Sequence, residues 1–263
     1  MITRVFGWSM AALAIAGLAG CSAPKAGNAD SKAFAPPTDL TARLLDPINI
    51  ELRWKDNAKA EAGYFVEYSP NANDEYVVIE ALPANSTRFH HAHLLPETRF
   101  VYRVRPYFGK PSNTASITTG KSGPQQGPTP EMLTNAPPGN AGPLVSLRSA
   151  ATMDAAAPTD LTATLIPPAG VSLHWKNHAA DADGCLLEIK PEWDSQFKPS
   201  AFLESNTTSL VTYNFPAESK FTFRVRAFFY GKPSNLAEQT TGKDPSLGPG
   251  KFIQYDPSTK PRQ

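Results

Sequence analysis

Several stretches of the chain alternate apolar and polar residues with a period of two. Ile50, Leu52 and Trp54 alternate with Glu51 and Arg53, and Tyr64, Val66 and Tyr68 with Phe65 and Glu67. Phe100, Tyr102 and Val104 alternate with Val101, Arg103 and Arg105. The same happens at Leu173 and Trp175, at Cys185, Leu187 and Ile189, and at Phe221, Phe223 and Val225. Period two puts each apolar set on one face of a strand. Helical spacing fits these windows poorly. Short runs of this kind, punctuated by Pro, Gly, Asn and Asp, predict an all-β sandwich architecture.

The pattern is also written twice. FVYRVRPYFGKPSN at 100–113 returns as FTFRVRAFFYGKPSN at 221–235. Pro37-Thr38-Asp39-Leu40 returns at Pro158-Thr159-Asp160-Leu161, and Thr118-Thr119-Gly120-Lys121 at Thr240-Thr241-Gly242-Lys243. One inserted residue, Tyr230, changes the spacing late in the second copy. The chain therefore divides into two copies of one domain, 35–121 and 156–243. The repeated phrase reads as a core strand followed by its exit loop. Two Asn-x-Thr sites, at Asn85 and Asn206, fit a glycan acceptor pattern but read as turns.

These residues resemble fibronectin type III domains. Pro-Thr-Asp-Leu looks like the family's start, and Trp54 and Trp175 stand where its second strand carries a core tryptophan. GYFVEY at 63–68 looks like its third strand, Leu94-x-Pro96 followed by Phe100 like the turn into the sixth, and Pro111-Ser112-Asn113 with Thr118-Thr119-Gly120 like the last loop and strand. The resemblance covers about two-thirds of the chain and implies two tandem immunoglobulin-like sandwiches joined by disordered linkers. The family's corner tyrosine is missing: Phe100 and Phe221 stand there and cannot donate its hydrogen bond, so packing has to compensate. No Arg-Gly-Asp tripeptide supports integrin-type adhesion.

The flanking segments change the picture most. Residues 1–20 have the charge and apolar run of an export signal. Leu18-Ala19-Gly20-Cys21 resembles the lipobox of bacterial lipoproteins, which implies cleavage before Cys21, acylation there (palmitate and a diacylglycerol) and attachment to the membrane. Ser22 in place of Asp favours the outer membrane if the cell is Gram-negative. Residues 21–34 then read as a flexible tether. Residues 122–155 read as a mostly disordered Pro/Gly-rich linker, in which Leu144 to Leu147 can instead add an edge strand or dock. Residues 244–263 read as a disordered tail with Phe252, Ile253 and Tyr255 as its only anchors.

Composition removes several classes. Across 263 residues the net charge is +1, which gives no electrostatic footprint for nucleic acid. There are 26 prolines, about twice the usual share, as expected of turns and linkers. Of two cysteines, Cys21 is assigned to lipid, so Cys185 has no disulfide partner.

Candidate chemistry is sparse. His91 and His93 would share one face of a strand running through His90 and Ala92, but no third ligand stands at a suitable spacing, so a structural role and no metal site is expected. Cys185 falls on the inward set and reads as a small hydrophobe. Arg103, Arg105, Arg224 and Arg226 fall on the outward set, opposite Glu67 and Glu188. They read either as solvent-exposed cross-strand ion pairs or, with Tyr107 and Phe228, as a platform for a glycan, carboxylate or phosphate. No catalytic motif and no cofactor motif emerges. The expectation is a non-enzymatic, lipid-anchored envelope protein that binds a protein or polysaccharide. A structural spacer is the alternative, and an enzyme the remote one.

Overall fold

The computed structural model describes residues 33–129 and 143–243. The segment read as an export signal, Cys21, most of the expected tether, the middle of the linker segment and the tail lie outside the described residues. The fold is all-β. The strands of the first copy are β1 (Thr38–Asp46), β2 (Asn49–Lys55), β3 (Glu61–Ser69), β4 (Val77–Pro83), β5 (Arg88–His91), β6 (Arg99–Phe108) and β7 (Ala115–Thr118). Those of the second are β8 (Thr159–Ile166), β9 (Gly170–Lys176), β10 (Gly184–Pro191), β11 (Lys198–Leu203), β12 (Ser209–Thr212), β13 (Lys220–Tyr230) and β14 (Ala237–Thr240).

Each copy builds a three-stranded sheet, β1-β2-β5 or β8-β9-β12, against its half of a larger sheet ordered β11-β10-β13-β6-β3-β4. The alternating residues meet between the layers. Ile50, Leu52, Trp54, Tyr64, Val66, Tyr102 and Val104 form one core, and Leu173, Trp175, Cys185, Leu187, Phe223 and Val225 lie in the other. Local backbone repeats as well. Asp39 and Asp160 have φ of 58° and 56°, at register shifts where β1 and β8 begin pairing. Aspartate tolerates that left-handed conformation better than most residues.

The last strands do not stay with their own copies. β7 pairs β13 of the second copy, from Thr118↔Lys220 to Ala115↔Phe223. β14 pairs β6 of the first, from Thr240↔Arg99 to Ala237↔Tyr102. Between them β6 and β13 pair directly, Phe108↔Phe229 and Tyr107↔Tyr230. The exit loop expected at Gly109 to Asn113 is therefore not a hairpin. The chain runs on alongside β13, with Pro111 bridging Arg226. Lys110 and Lys232 each precede a proline, which biases them to extended backbone, and the proline has no N–H to give to a hairpin.

The crossover contacts repeat with pseudo-two-fold symmetry. Ser112 N–H donates to the Val225 carbonyl (2.8 Å), and Ser112 Oγ accepts from Val225 N–H (3.0 Å). Ser234 does the same to Val104, at 2.8 and 3.0 Å. Asn113 bonds both backbone groups of Leu161, and Asn235 both of Leu40, all at 2.9 Å. Repeated Ser-Asn pairs thus stitch each arm to the opposite copy.

The missing corner tyrosine is replaced across the same exchange. Thr241 Oγ1 donates to the Leu95 carbonyl (2.6 Å) and accepts from Thr98 N–H (2.8 Å). Thr119 Oγ1 donates to the Pro216 carbonyl (2.6 Å) and accepts from Ser219 N–H (2.9 Å). Both threonines are buried. Compensation is therefore by hydrogen bonds from the other copy, not by packing alone. Thr119→Val or Thr241→Val keeps the shape and takes the hydroxyl partner from a backbone N–H and a carbonyl in partly buried bonds. Each is expected to cost about 1–3 kcal/mol in denaturant unfolding.

Part of the segment expected to be a disordered linker is packed. Leu147 and Met153 are buried in the second core, and Val145 makes a parallel bridge to Ala179, the docking allowed for Leu144 to Leu147. Asp181 fixes this segment by accepting from Leu147 N–H (2.6 Å) and Ser146 Oγ (2.7 Å). At the centre of the crossover Phe34 closes an aromatic cluster with Phe108 (4.8 Å) and Phe229 (5.4 Å).

Candidate functional site

Arg103, Arg105 and Tyr107 project from β6, and Arg224, Arg226 and Phe228 from β13, all on the face away from the two cores. The alternation anticipates that shared face, but the expected solvent exposure is corrected by the structure. Tyr107 and Phe228 are buried, with Phe65 and Leu186, in a small third cluster. Arg226 is buried too. The cause is long-range: the β6–β13 junction folds the outer faces of the two copies toward each other. Phe65 of β3 comes to 5.3 Å from Phe202 of β11.

The expected ion pairs form, but around buried carboxylates. Glu188 accepts from Arg224 Nε (2.7 Å) and Nη2 (3.0 Å), and from Arg226 Nη2 (3.1 Å). Arg226 Nη1 also donates to the Gly109 carbonyl (2.5 Å), tying the pair to the crossover. Glu67 pairs with Arg103 and lies 3.4 Å from Arg105. Arg103 stacks on Tyr76 at 4.0 Å, Arg224 on Phe197 at 4.1 Å and Arg105 on Tyr230 at 5.0 Å.

A groove of about 670 Å³ opens between the two outer faces. One wall is Ala62, Glu80–Ala84 and Tyr107 from the first copy, and the other is Glu188, Asp194, Phe197, Lys198 and Arg224 from the second. Of the six sequence-derived candidates, only Arg224 and Tyr107 line it. Glu188, placed by the sequence on the same outer face, lines it too, whereas Asp194 and Gln196 in the turn before β11 were missed. Nothing in a single repeat marks a wall that another repeat supplies.

The histidines do not converge. β5 ends at His91, and His93 lies beyond it with φ of 58°, so the expected shared face is not formed. His91 Nδ1 lies 2.9 Å from the Tyr102 hydroxyl. Burial, and secondarily the charge of His90, holds its pKa below the usual histidine value of 6.5. An unfolded chain therefore takes this proton first as pH falls, and stability drops below about pH 6.5. Replacing His91 with Gln is expected to flatten the loss of stability between pH 7 and 5, measured by urea unfolding. Among the described residues no cluster of three or more His, Cys, Asp or Glu is arranged to hold a metal.

Cys185 occupies the inward position of Tyr64 in the other copy. Tyr64 donates to Asp56 (2.5 Å), and Cys185 Sγ faces Asn177 Oδ1 at 3.8 Å, where the aspartate's counterpart stands. Burial pushes the thiol up to about 12, which keeps it protonated and unreactive.

No family model matches the chain, and no curated protein matches it. Its structural neighbours are fibronectin type III proteins. A Fn3-like protein from Clostridium thermocellum is 25% identical over 28% of this chain and 76% of that one, with a TM-score of 0.26. A segment of two fibronectin type III domains from chicken tenascin is 14% identical over 78% of this chain and 99% of its own, also with a TM-score of 0.26.

Proposed function

We propose that this is a non-enzymatic, lipid-anchored protein of the bacterial envelope whose two sandwiches act as one binding unit for a protein or polysaccharide. The observation that carries the reading is the groove walled by both copies, which places an aromatic ring, an arginine and carboxylates around a volume of ligand size. The buried, protonated Cys185 and the mutually paired arginines and glutamates leave those groups without the free, activated character that catalysis requires. The Cys21 motif supports the anchor, with outer-membrane placement if the cell is Gram-negative.

The test uses the chain with Cys21→Ser as soluble bait against solubilised envelope, with captured protein and glycan separated. One protein or one glycan should be enriched, and Gln196→Trp, which fills the groove from its rim, should abolish the capture. Capture indifferent to Gln196→Trp would move binding elsewhere. No capture at all would favour the spacer reading, which the strand exchange supports because it joins the copies into one stiff body. Labelled palmitate should enter the chain in cells, and Cys21→Ser should abolish both the label and membrane retention.

A further inference from the structure

We infer that a second copy of this chain is a competent partner, through the same exchange of last strands that closes the single molecule. Every ladder that holds β7 is made to β13, and every ladder that holds β14 is made to β6. The stitching contacts of Ser112, Asn113 and Thr119 also all go to the second copy, and those of Ser234, Asn235 and Thr241 to the first. None of these bonds requires that the two copies belong to one chain. The crossover is already extended, so passing an arm to another molecule needs no hairpin to open and strains no turn.

Two molecules can therefore close by pairing the first copy of each with the second copy of the other. The interface would be the one described, made twice, and each groove would take one wall from each chain. Exchange of this kind is a low-cost route to a symmetric dimer. Covalent connection decides the balance. Residues 130–142, fully extended, reach ~45 Å. A linker of that size gives an effective concentration on the order of 1 mM for closure within one chain. Dilute protein should be monomeric, and protein folded near that concentration should be partly dimeric. The inference does not depend on what the groove binds.

The test uses two versions of the full chain with different affinity tags, both carrying Cys21→Ser so that no acyl chain mediates association. They are either mixed native or unfolded together and refolded at ~1 µM and ~1 mM. The expected result is capture of one tag by the other only after joint refolding, in a species of twice the monomer mass. Its share should rise from under ~1% at the lower concentration to roughly a third at the higher. Absence of the mixed dimer at ~1 mM would overturn the inference. Equal capture on native mixing would also overturn it, because folded molecules would then associate by their surfaces. Capture only in larger aggregates counts against it in the same way.

Discussion

Gly109→Ala is expected to cost about 4 kcal/mol or more and to lower the urea midpoint sharply, whereas Gly231→Ala at the equivalent place is expected to cost about 1–3 kcal/mol. The two glycines stand in the same repeated phrase, but only one is held by backbone. Gly109 has φ of 143°, and a Cβ there would lie 2.0 Å from the Ala227 carbonyl oxygen. An L-residue is strained at that φ and also collides with an atom of the partner strand that cannot swing aside. At Gly231 the nearest atoms are Phe108 Cε2 at 2.6 Å and Pro106 Cγ at 2.7 Å, both in side chains. These shift at the price of some packing. Equal effects of the two substitutions would mean that the crossover does not pass as described.

The second large effect is expected at Glu188. Its carboxylate is shared by Arg224 and Arg226, and Arg226 has a side chain only 7% exposed. Removing one partner of a buried pair leaves an uncompensated charge, which costs about 3–5 kcal/mol. Glu188→Ala should fall in that range. Arg224→Ala should cost less, because Glu188 keeps Arg226. Glu67→Ala in the first copy should also cost less, since Arg103 and Arg105 are 23% and 20% exposed and turn more readily to water. Thermal or urea unfolding of the three variants checks the order. A loss at Glu67 equal to that at Glu188 would contradict the role given to burial.

The strands and their faces were legible because period-two alternation is a local signal. Leu52, Trp54, Tyr64 and Val104 go to the core where the pattern puts them, and duplication was legible from the offset alone. The exchange was not. The arms that carry β7 and β14 have the same contact residues on either side of the strand, Ser112 and Ser234, Asn113 and Asn235, Thr119 and Thr241. Each arm would fit either sandwich, and a sequence that matches both partners cannot say which one it takes. The exit loop from Gly109 to Asn113 was legible, but not that it carries the chain to the other copy.

The candidate site was legible in half. Alternation put Arg103, Arg105, Tyr107, Arg224, Arg226 and Phe228 on one outer face, and Glu67 and Glu188 opposite the arginines. Their burial depends on the second copy closing over the first, a contact between residues more than a hundred positions apart. His93 was misplaced by local geometry: its positive φ ends the strand that was to carry it beside His91. Leu144 to Leu147 were legible as a segment able to dock, but Met153 looks like a scattered apolar residue in a proline-rich stretch, and only the second core explains it.

The central claim is that each sandwich is closed by a strand of the other copy. Its most direct test is to place a protease site within residues 130–142 of the full chain, cut it, and pass the product over a sizing column without denaturant. Both fragments should elute together at the mass of the intact chain and separate only after denaturant is added, because two exchanged strands hold them. Fragments that separate under native conditions would mean that each copy closes on itself, and would contradict the account.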